Sequence, residues 1–195
     1  GRKGIGVSLL DAKNGELLFK NAIDQDVPRG VAENIDPNHR GAYLWWLGSK
    51  DMYDAKGNIV GVAPGSTNFL IWWDEDLSRE LLNSNYIEKY NAGIIFTAEG
   101  ASSINGTKKT PNLSADILGD WREELILRTN DNQNLRIYTT IIPTDHRIYT
   151  LMHDPQYRLS IAWQNVAYNQ PPHTGYYLGT GMHTPVKPNL KIVKP

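Results

Sequence analysis

The chain is written in short apolar runs that stop at Gly, Asn, Asp or Pro, and this punctuation restricts it to folds made of short strands and turns. Residues 5–10 are followed by Asp11-Ala-Lys-Asn-Gly15 and then by residues 16–20, so an Asn-Gly turn joins two apolar runs as in a β-hairpin. Residues 41–47 read as a buried strand, 54–60 repeat the turn-and-strand theme, and 68–73 form a further strand. The series continues through 87–90, 93–97, 124–127 and 135–139, with 158–163 read as its last strand. The stretch 74–82 has a helical reading, because acidic residues open it. Runs recurring about every dozen residues predict an all-β fold.

Two segments echo one another. Residues 31–45 and 113–126 each take a small residue and an acidic turn into an apolar strand. Repeated propeller blades explain such an echo, since each unit buries its face against a neighbour, and a β-sandwich is the other explanation. No low-complexity segment or linker divides the chain, so one domain is expected. The tail 182–195 carries three prolines and reads as an extended strand or a surface wrap.

Composition removes several function classes. A formal net charge of -1 gives no electrostatic basis for nucleic-acid binding. No apolar run is long enough to span a membrane as a helix. The start Gly1-Arg-Lys-Gly-Ile5 does not read as a signal peptide. The absence of cysteine excludes disulfides, thiolate metal sites and cysteine nucleophiles. Trp (6) and Tyr (10) far outnumber Phe (3), which suits surfaces that stack on sugars and equally suits strand packing.

Chemistry concentrates in Asp116-Ile-Leu-Gly-Asp120-Trp-Arg-Glu123-Glu124-Leu-Ile-Leu. Asp116, Asp120, Glu123 and Glu124 crowd hard oxygen donors around a Gly119 turn, which suits Ca²⁺, and Asp36 and Asp74/Asp76 stand behind them as further candidates. The competing reading is a solvated acidic turn paired with Arg122 and Arg128. Oxygen-only ligation disfavours zinc, and His39, His146, His153, His173 and His183 are scattered without ligand spacing.

Several longer runs resemble a known family. Ala115-Asp-Ile-Leu-Gly-Asp-Trp-Arg-Glu-Glu124, Leu135-Arg-Ile-Tyr-Thr-Thr140, His146-Arg-Ile-Tyr-Thr-Leu-Met-His-Asp-Pro-Gln-Tyr-Arg-Leu-Ser160 and Ala162-Trp-Gln-Asn-Val-Ala-Tyr-Asn-Gln-Pro-Pro-His-Thr174 are similar to the C-terminal part of polysaccharide lyase family 11, the rhamnogalacturonan lyases. Earlier signatures at 29–37, 72–82 and 105–108 extend the resemblance over nearly the whole chain. It implies the C-terminal blades of an eight-bladed β-propeller, incomplete in this chain, with bound Ca²⁺. It also implies a much longer protein, so the missing N-terminal blades or self-association would complete the ring and cover its strand edges.

The implied reaction is β-elimination at galacturonate in rhamnogalacturonan I, the pectin backbone, and a pectin substrate implies a secreted or periplasmic protein. Arg29, Lys108 and Tyr168 resemble the family's catalytic positions. Arg29 would neutralise the uronate carboxylate; Lys108 would abstract a proton or act as a fixed charge; Tyr168 would protonate the leaving oxygen or serve as a stacking platform. Asn105, Gly106, Thr107 and Asn169 would contact sugar hydroxyls. Read without the resemblance, Arg29 and Lys108 are ordinary solvated turn residues, Asn105-Gly106 is an ordinary turn and Tyr168 is packing. A non-catalytic carbohydrate-binding module and a purely structural propeller fragment are the alternatives to a lyase.

Overall fold

A computed structural model describes residues 6–166, 170–189, 191 and 193. The first element is a hairpin, β1 (Val7–Leu10) and β2 (Leu17–Asn21). Its turn is closed by Asp11 N–H on Glu16 O at 2.8 Å and Gly15 N–H on Asp11 O at 2.7 Å. Three four-stranded antiparallel sheets follow. The second sheet meanders through β3 (Gly30–Glu33), β4 (Tyr43–Trp46), β5 (Asp51–Tyr53) and β6 (Ile59–Val62). The third does the same with β7 (Phe69–Ile71), β8 (Glu80–Asn83), β9 (Tyr86–Lys89) and β10 (Gly93–Thr97).

The fourth sheet is organised differently. Its centre is β13 (Glu124–Thr129), paired on one edge with β14 (Leu135–Tyr138). The other edge is shared end to end by two short strands, β11 (Ala101–Ser102) and β12 (Leu113–Ala115). Ala101 and Ser102 face Thr129 and Arg128, and Leu113, Ser114 and Ala115 face Ile126, Leu125 and Glu124. Both run antiparallel to β13, so they form one strand line interrupted by an excursion over 103–112.

Alternation along β7 explains how the sheets stack. Phe69 and Ile71 join Leu82 and Ile87 in a core with Ala101, Leu125 and Leu127 of the fourth sheet. Leu70 points the other way and, with Leu81, meets Tyr43, Trp45 and Met52 of the second sheet. The third sheet is therefore covered on both faces, and this double burial makes 69–73 a continuous apolar run in sequence. Each fully buried side chain of this kind contributes about 1.5–3 kcal/mol. The first hairpin docks on the second sheet through Phe19 and Tyr53, whose ring centroids lie 5.2 Å apart. Phe19 also explains Gly57, which combines a φ of +84° with a ring carbon 2.4 Å from where a Cβ would stand.

The all-β expectation holds at the level of antiparallel sheets, and two elements differ from the sequence reading. The stretch 74–82 is not helical. Asp74 Oδ1 accepts Asp76 N–H at 2.9 Å and Asp76 Oδ1 accepts Ser78 N–H at 2.7 Å, so acidic side chains take the donors a helix would need and the chain enters β8 from a turn. Residues 158–163 are not a strand but the end of α1 (Pro155–Trp163). Asp154 caps it by accepting Gln156 N–H at 3.2 Å, and Pro155 fills the first turn, where its missing N–H does no harm. Tyr157, Ser160 and Gln164 make its buried stripe. Trp72, Trp121, Leu151, Tyr157 and Leu178 form a third core under this helix. The two echoing segments are both antiparallel pairs, β3–β4 and β12–β13. The described part of the tail contains no strand, and Met182 packs against the third core.

Candidate active site

Arg29 and the 105–108 turn, 78 residues apart at their point of contact, meet in space: Arg29 Nη1 donates to the Thr107 carbonyl at 3.2 Å. Arg29 stands just before β3, and the same Nη1 donates to Asn68 Oδ1 at the entrance to β7. Thr107 lies on the excursion that interrupts β11 and β12. That loop braces itself. Ile104 N–H donates to Thr110 O at 3.0 Å and Ser103 Oγ to Asn105 O at 2.9 Å. Asn105 Nδ2 donates to Thr110 Oγ1 at 3.1 Å, and Lys108 N–H donates to Asn105 Oδ1 at 2.7 Å. The Asn105 amide therefore shapes the loop, while Gly106 and Thr107 form its exposed tip and Lys108 follows half-buried.

Tyr168 and Asn169 lie outside the described residues. Their flanks return to the same neighbourhood. Gln164 pairs with Ser114 through two hydrogen bonds, accepting Ser114 N–H at 2.8 Å and donating to Ser114 O at 3.1 Å. This side-chain amide extends the ladder along β12. Asn165 Nδ2 donates to Asn112 O at 3.0 Å, at the base of the loop. On the far side, Pro171 and His173 line a cavity of about 170 Å³ with Gly30, Glu33, Asn68 and Arg79.

Beneath that cavity sits a buried ionic hub. Arg79, 2% exposed, pairs with Glu123 Oε2 at 3.1 Å and Glu33 Oε1 at 3.6 Å, and its guanidinium carbon lies 3.9 Å from the Trp72 ring centre. Tyr157 OH donates to Glu123 Oε1 at 2.8 Å and Trp72 N–H to Glu123 Oε2 at 3.1 Å. Burial pushes the Glu123 carboxyl up, and Arg79 is the main influence pulling it down. This hub holds the second, third and fourth sheets to α1.

The acidic run is dispersed over separate networks. Asp116 accepts Leu151 N–H at 2.7 Å, Thr150 Oγ1 at 2.9 Å and Gly119 N–H at 2.7 Å. Glu124 accepts Ile117 N–H at 2.7 Å, Leu118 N–H at 2.9 Å and Thr139 Oγ1 at 3.1 Å. Asp120 pairs with Arg122 at 2.8 Å, and Glu123 belongs to the Arg79 hub. Asp36 accepts Asn38 N–H at 2.9 Å and lies 2.9 Å from His39 Nδ1; burial raises its pKa, but the Asn38 and His39 hydrogen bonds outweigh that and hold it low. Residues crowded in sequence thus point their oxygens at different partners.

Among the described residues, the carboxylates that do converge are Asp74, Asp76 and Glu80, each with one oxygen within 4.8 Å of the others. Lys89 Nζ sits among them, 2.6 Å from Asp76, 3.2 Å from Glu80 and in contact with Asp74. Burial raises Glu80 well above the ordinary carboxylate range, with Asp74 adding to it. Asp74 and Asp76 were legible as an Asp-Glu-Asp run; Glu80 and Lys89 join them only through the β8–β9 pairing.

Comparison with known proteins identifies the family. A family model described as rhamnogalacturonan lyase family 11, C-terminal domain, matches residues 2–188. The rhamnogalacturonan endolyase YesW of Bacillus subtilis (strain 168) is 56% identical over 191 residues, covering 95% of this chain and 30% of the relative. The exolyase YesX of the same organism is 50% identical over 211 residues, covering 97% and 34%. The solved structure of a Bacillus licheniformis rhamnogalacturonan lyase superposes with a TM-score of 0.90 at 54% identity, over 97% of this chain and 33% of that one. The chain spans about a third of the length of the relatives it matches. With a family match running through all four sheets and the helix, the chain belongs to rhamnogalacturonan lyase family 11, as its C-terminal domain.

Proposed function

We propose that this chain carries one wall of a rhamnogalacturonan lyase active site, cutting the rhamnogalacturonan I backbone by β-elimination at galacturonate. The observation that carries the reading is the hydrogen bond from Arg29 to Thr107, which joins a guanidinium to an exposed polar loop tip. In the elimination, the C5 proton leaves to a base, its electron pair becomes the C4=C5 double bond, and the C4–O bond breaks. The leaving oxygen takes a proton. Charge builds on the carboxylate beside C5, so a fixed cation there lowers the barrier. Arg29 fills that role, Lys108 is the base or a second fixed charge, and Tyr168 protonates the leaving oxygen. Gly106 and Thr107, with Asn105 behind them and Asn169, hold the sugar.

The stack of four-stranded sheets supports reading them as consecutive propeller blades, with further blades completing the ring, and the pectin substrate supports secretion or a periplasmic location. Calcium would supply positive charge and bracing. Asp74, Asp76 and Glu80 fit it by donor type, with Lys89 holding their place, whereas Asp36, Asp116, Asp120, Glu123 and Glu124 act in this reading as braces of their turns. A carbohydrate-binding role without catalysis is favoured by one observation, the exposed polar tip at Gly106 and Thr107, which can meet sugar hydroxyls without a base. Incubation of the chain with rhamnogalacturonan and Ca²⁺ separates the two, because an elimination leaves an unsaturated uronate absorbing at ~235 nm. A signal lost in Lys108→Ala supports the lyase; binding without any signal supports the module.

A further inference from the structure

We propose that Asn68 is the positioning residue for Arg29, a neutral acceptor that fixes the guanidinium without cancelling its charge; this deepens the lyase reading and rests on it. A guanidinium has donors only, so Asn68 must turn Oδ1 toward Arg29. Its Nδ2 then faces the third sheet and donates to Asn83 Oδ1 at 2.7 Å. Asn83 Nδ2 in turn reaches Tyr86 OH at 2.5 Å. Asn83 ends β8 and Tyr86 opens β9, directly opposite it in the ladder. The relay therefore anchors Arg29 to the end of a sheet buried on both faces, while the Thr107 carbonyl holds it from the loop side.

The contrast with other cations inside the fold gives the relay its meaning. Arg79, Arg122 and Lys89 each sit against at least one carboxylate. Among the described residues, Arg29 pairs with none, and both of its acceptors are neutral. A carboxylate at 68 would hold the guanidinium equally well but would meet the incoming uronate as a rival. An amide holds it and leaves a full positive charge for the substrate. The relay also makes a clean test possible. Tyr86 hydroxyl both donates and accepts, so in Asn68→Asp the Asn83 amide can turn over, offering Nδ2 to the new carboxylate and Oδ1 to Tyr86. The fold is kept and only the charge on Arg29 is answered.

The experiment is calorimetric binding of the full 195-residue chain to a galacturonate-containing rhamnogalacturonan oligosaccharide and to its carboxyl-reduced counterpart. The variants are Asn68→Asp, Asn68→Ala, Arg29→Ala and the Asn68→Asp/Arg29→Ala double, each checked for an unchanged unfolding midpoint. Asn68→Asp and Arg29→Ala should each weaken the acidic ligand by roughly 10- to 100-fold. They should leave the reduced one unaffected, and the double variant should lose no more than Arg29→Ala alone. Equal losses for both ligands, additive losses in the double, or wild-type affinity in Asn68→Asp would overturn the assignment. If the unsubstituted chain binds neither ligand, the reading of the chain as a carbohydrate-binding module by itself fails. The anchoring is then decided by ¹⁵N-edited spectra of the Arg29 guanidinium: slowed Nη rotation retained in Asn68→Asp and lost in Asn68→Ala supports it, and no change in either variant overturns it.

Discussion

Replacing Arg79 by methionine should unlock three sheets at once. The guanidinium is 2% exposed and faces Glu123, itself 0% exposed, at 3.1 Å. Methionine fills much of the same volume, so little of the loss comes from a cavity. What remains is a buried carboxylate holding only Tyr157 OH and Trp72 N–H. Removing one member of a buried pair costs about 3–5 kcal/mol, a large share of the ~5–15 kcal/mol that holds a domain together. For a chain of this size that lowers the midpoint by on the order of 10 °C. The loss also has a pH signature. Burial raises Glu123 and Arg79 is its main counterweight, so the substitution raises the folded pKa further. A carboxyl raised on folding contributes stability that is full below its unfolded value of ~4.3 and is lost as pH rises through the folded value. The deficit of Arg79→Met should therefore be small near pH 5 and largest near pH 8, measured by urea unfolding at both. A deficit under ~1 kcal/mol at pH 8, or one equal at the two pH values, would refute the reasoning.

Lys89→Met leaves Asp74, Asp76 and Glu80 facing one another with no cation, and in chelator it should lose about 3–5 kcal/mol by the same argument. Added Ca²⁺ should restore most of that loss, and a melting curve unmoved by Ca²⁺ would count against a cation site there. His173 should titrate below its ordinary value of ~6.5, because burial and then the Arg79 charge disfavour the imidazolium. Its contribution to stability is then present above ~6.5 and lost as pH falls through the folded value, and an NMR midpoint above 6.5 would contradict the placement beside Arg79.

Much of the fold is visible in the sequence where burial is simple. The run at 69–73 is apolar because both faces of its strand are covered, and the Asn-Gly turn at 14–15 closes a hairpin by local chemistry alone. The failures are equally physical. A short run such as 158–163 does not reveal its period, and the deciding signal is Asp154-Pro155 just upstream, a cap and first turn. Acidic residues at 74–76 read as a helix start but fold back onto their own backbone. The strand line of β11 and β12 is hidden because ten residues interrupt it, and those residues hold the candidate loop. At the site, the pairing of Arg29 with Asn68 spans 39 residues of sequence, and no local pattern marks it. The acidic run misleads for the opposite reason: proximity in sequence fixes where the carboxylates start, while the donors supplied by α1 and the loops decide where their oxygens point.

The most direct test of the central claim is an elimination assay on a chimera in which this chain replaces the matching segment of the Bacillus subtilis endolyase. Arg29 and the 105–108 loop are then presented to substrate inside a complete relative. The account predicts formation of unsaturated uronate by the chimera and its collapse in Arg29→Ala and in Lys108→Ala. An active chimera that tolerates both substitutions would contradict it.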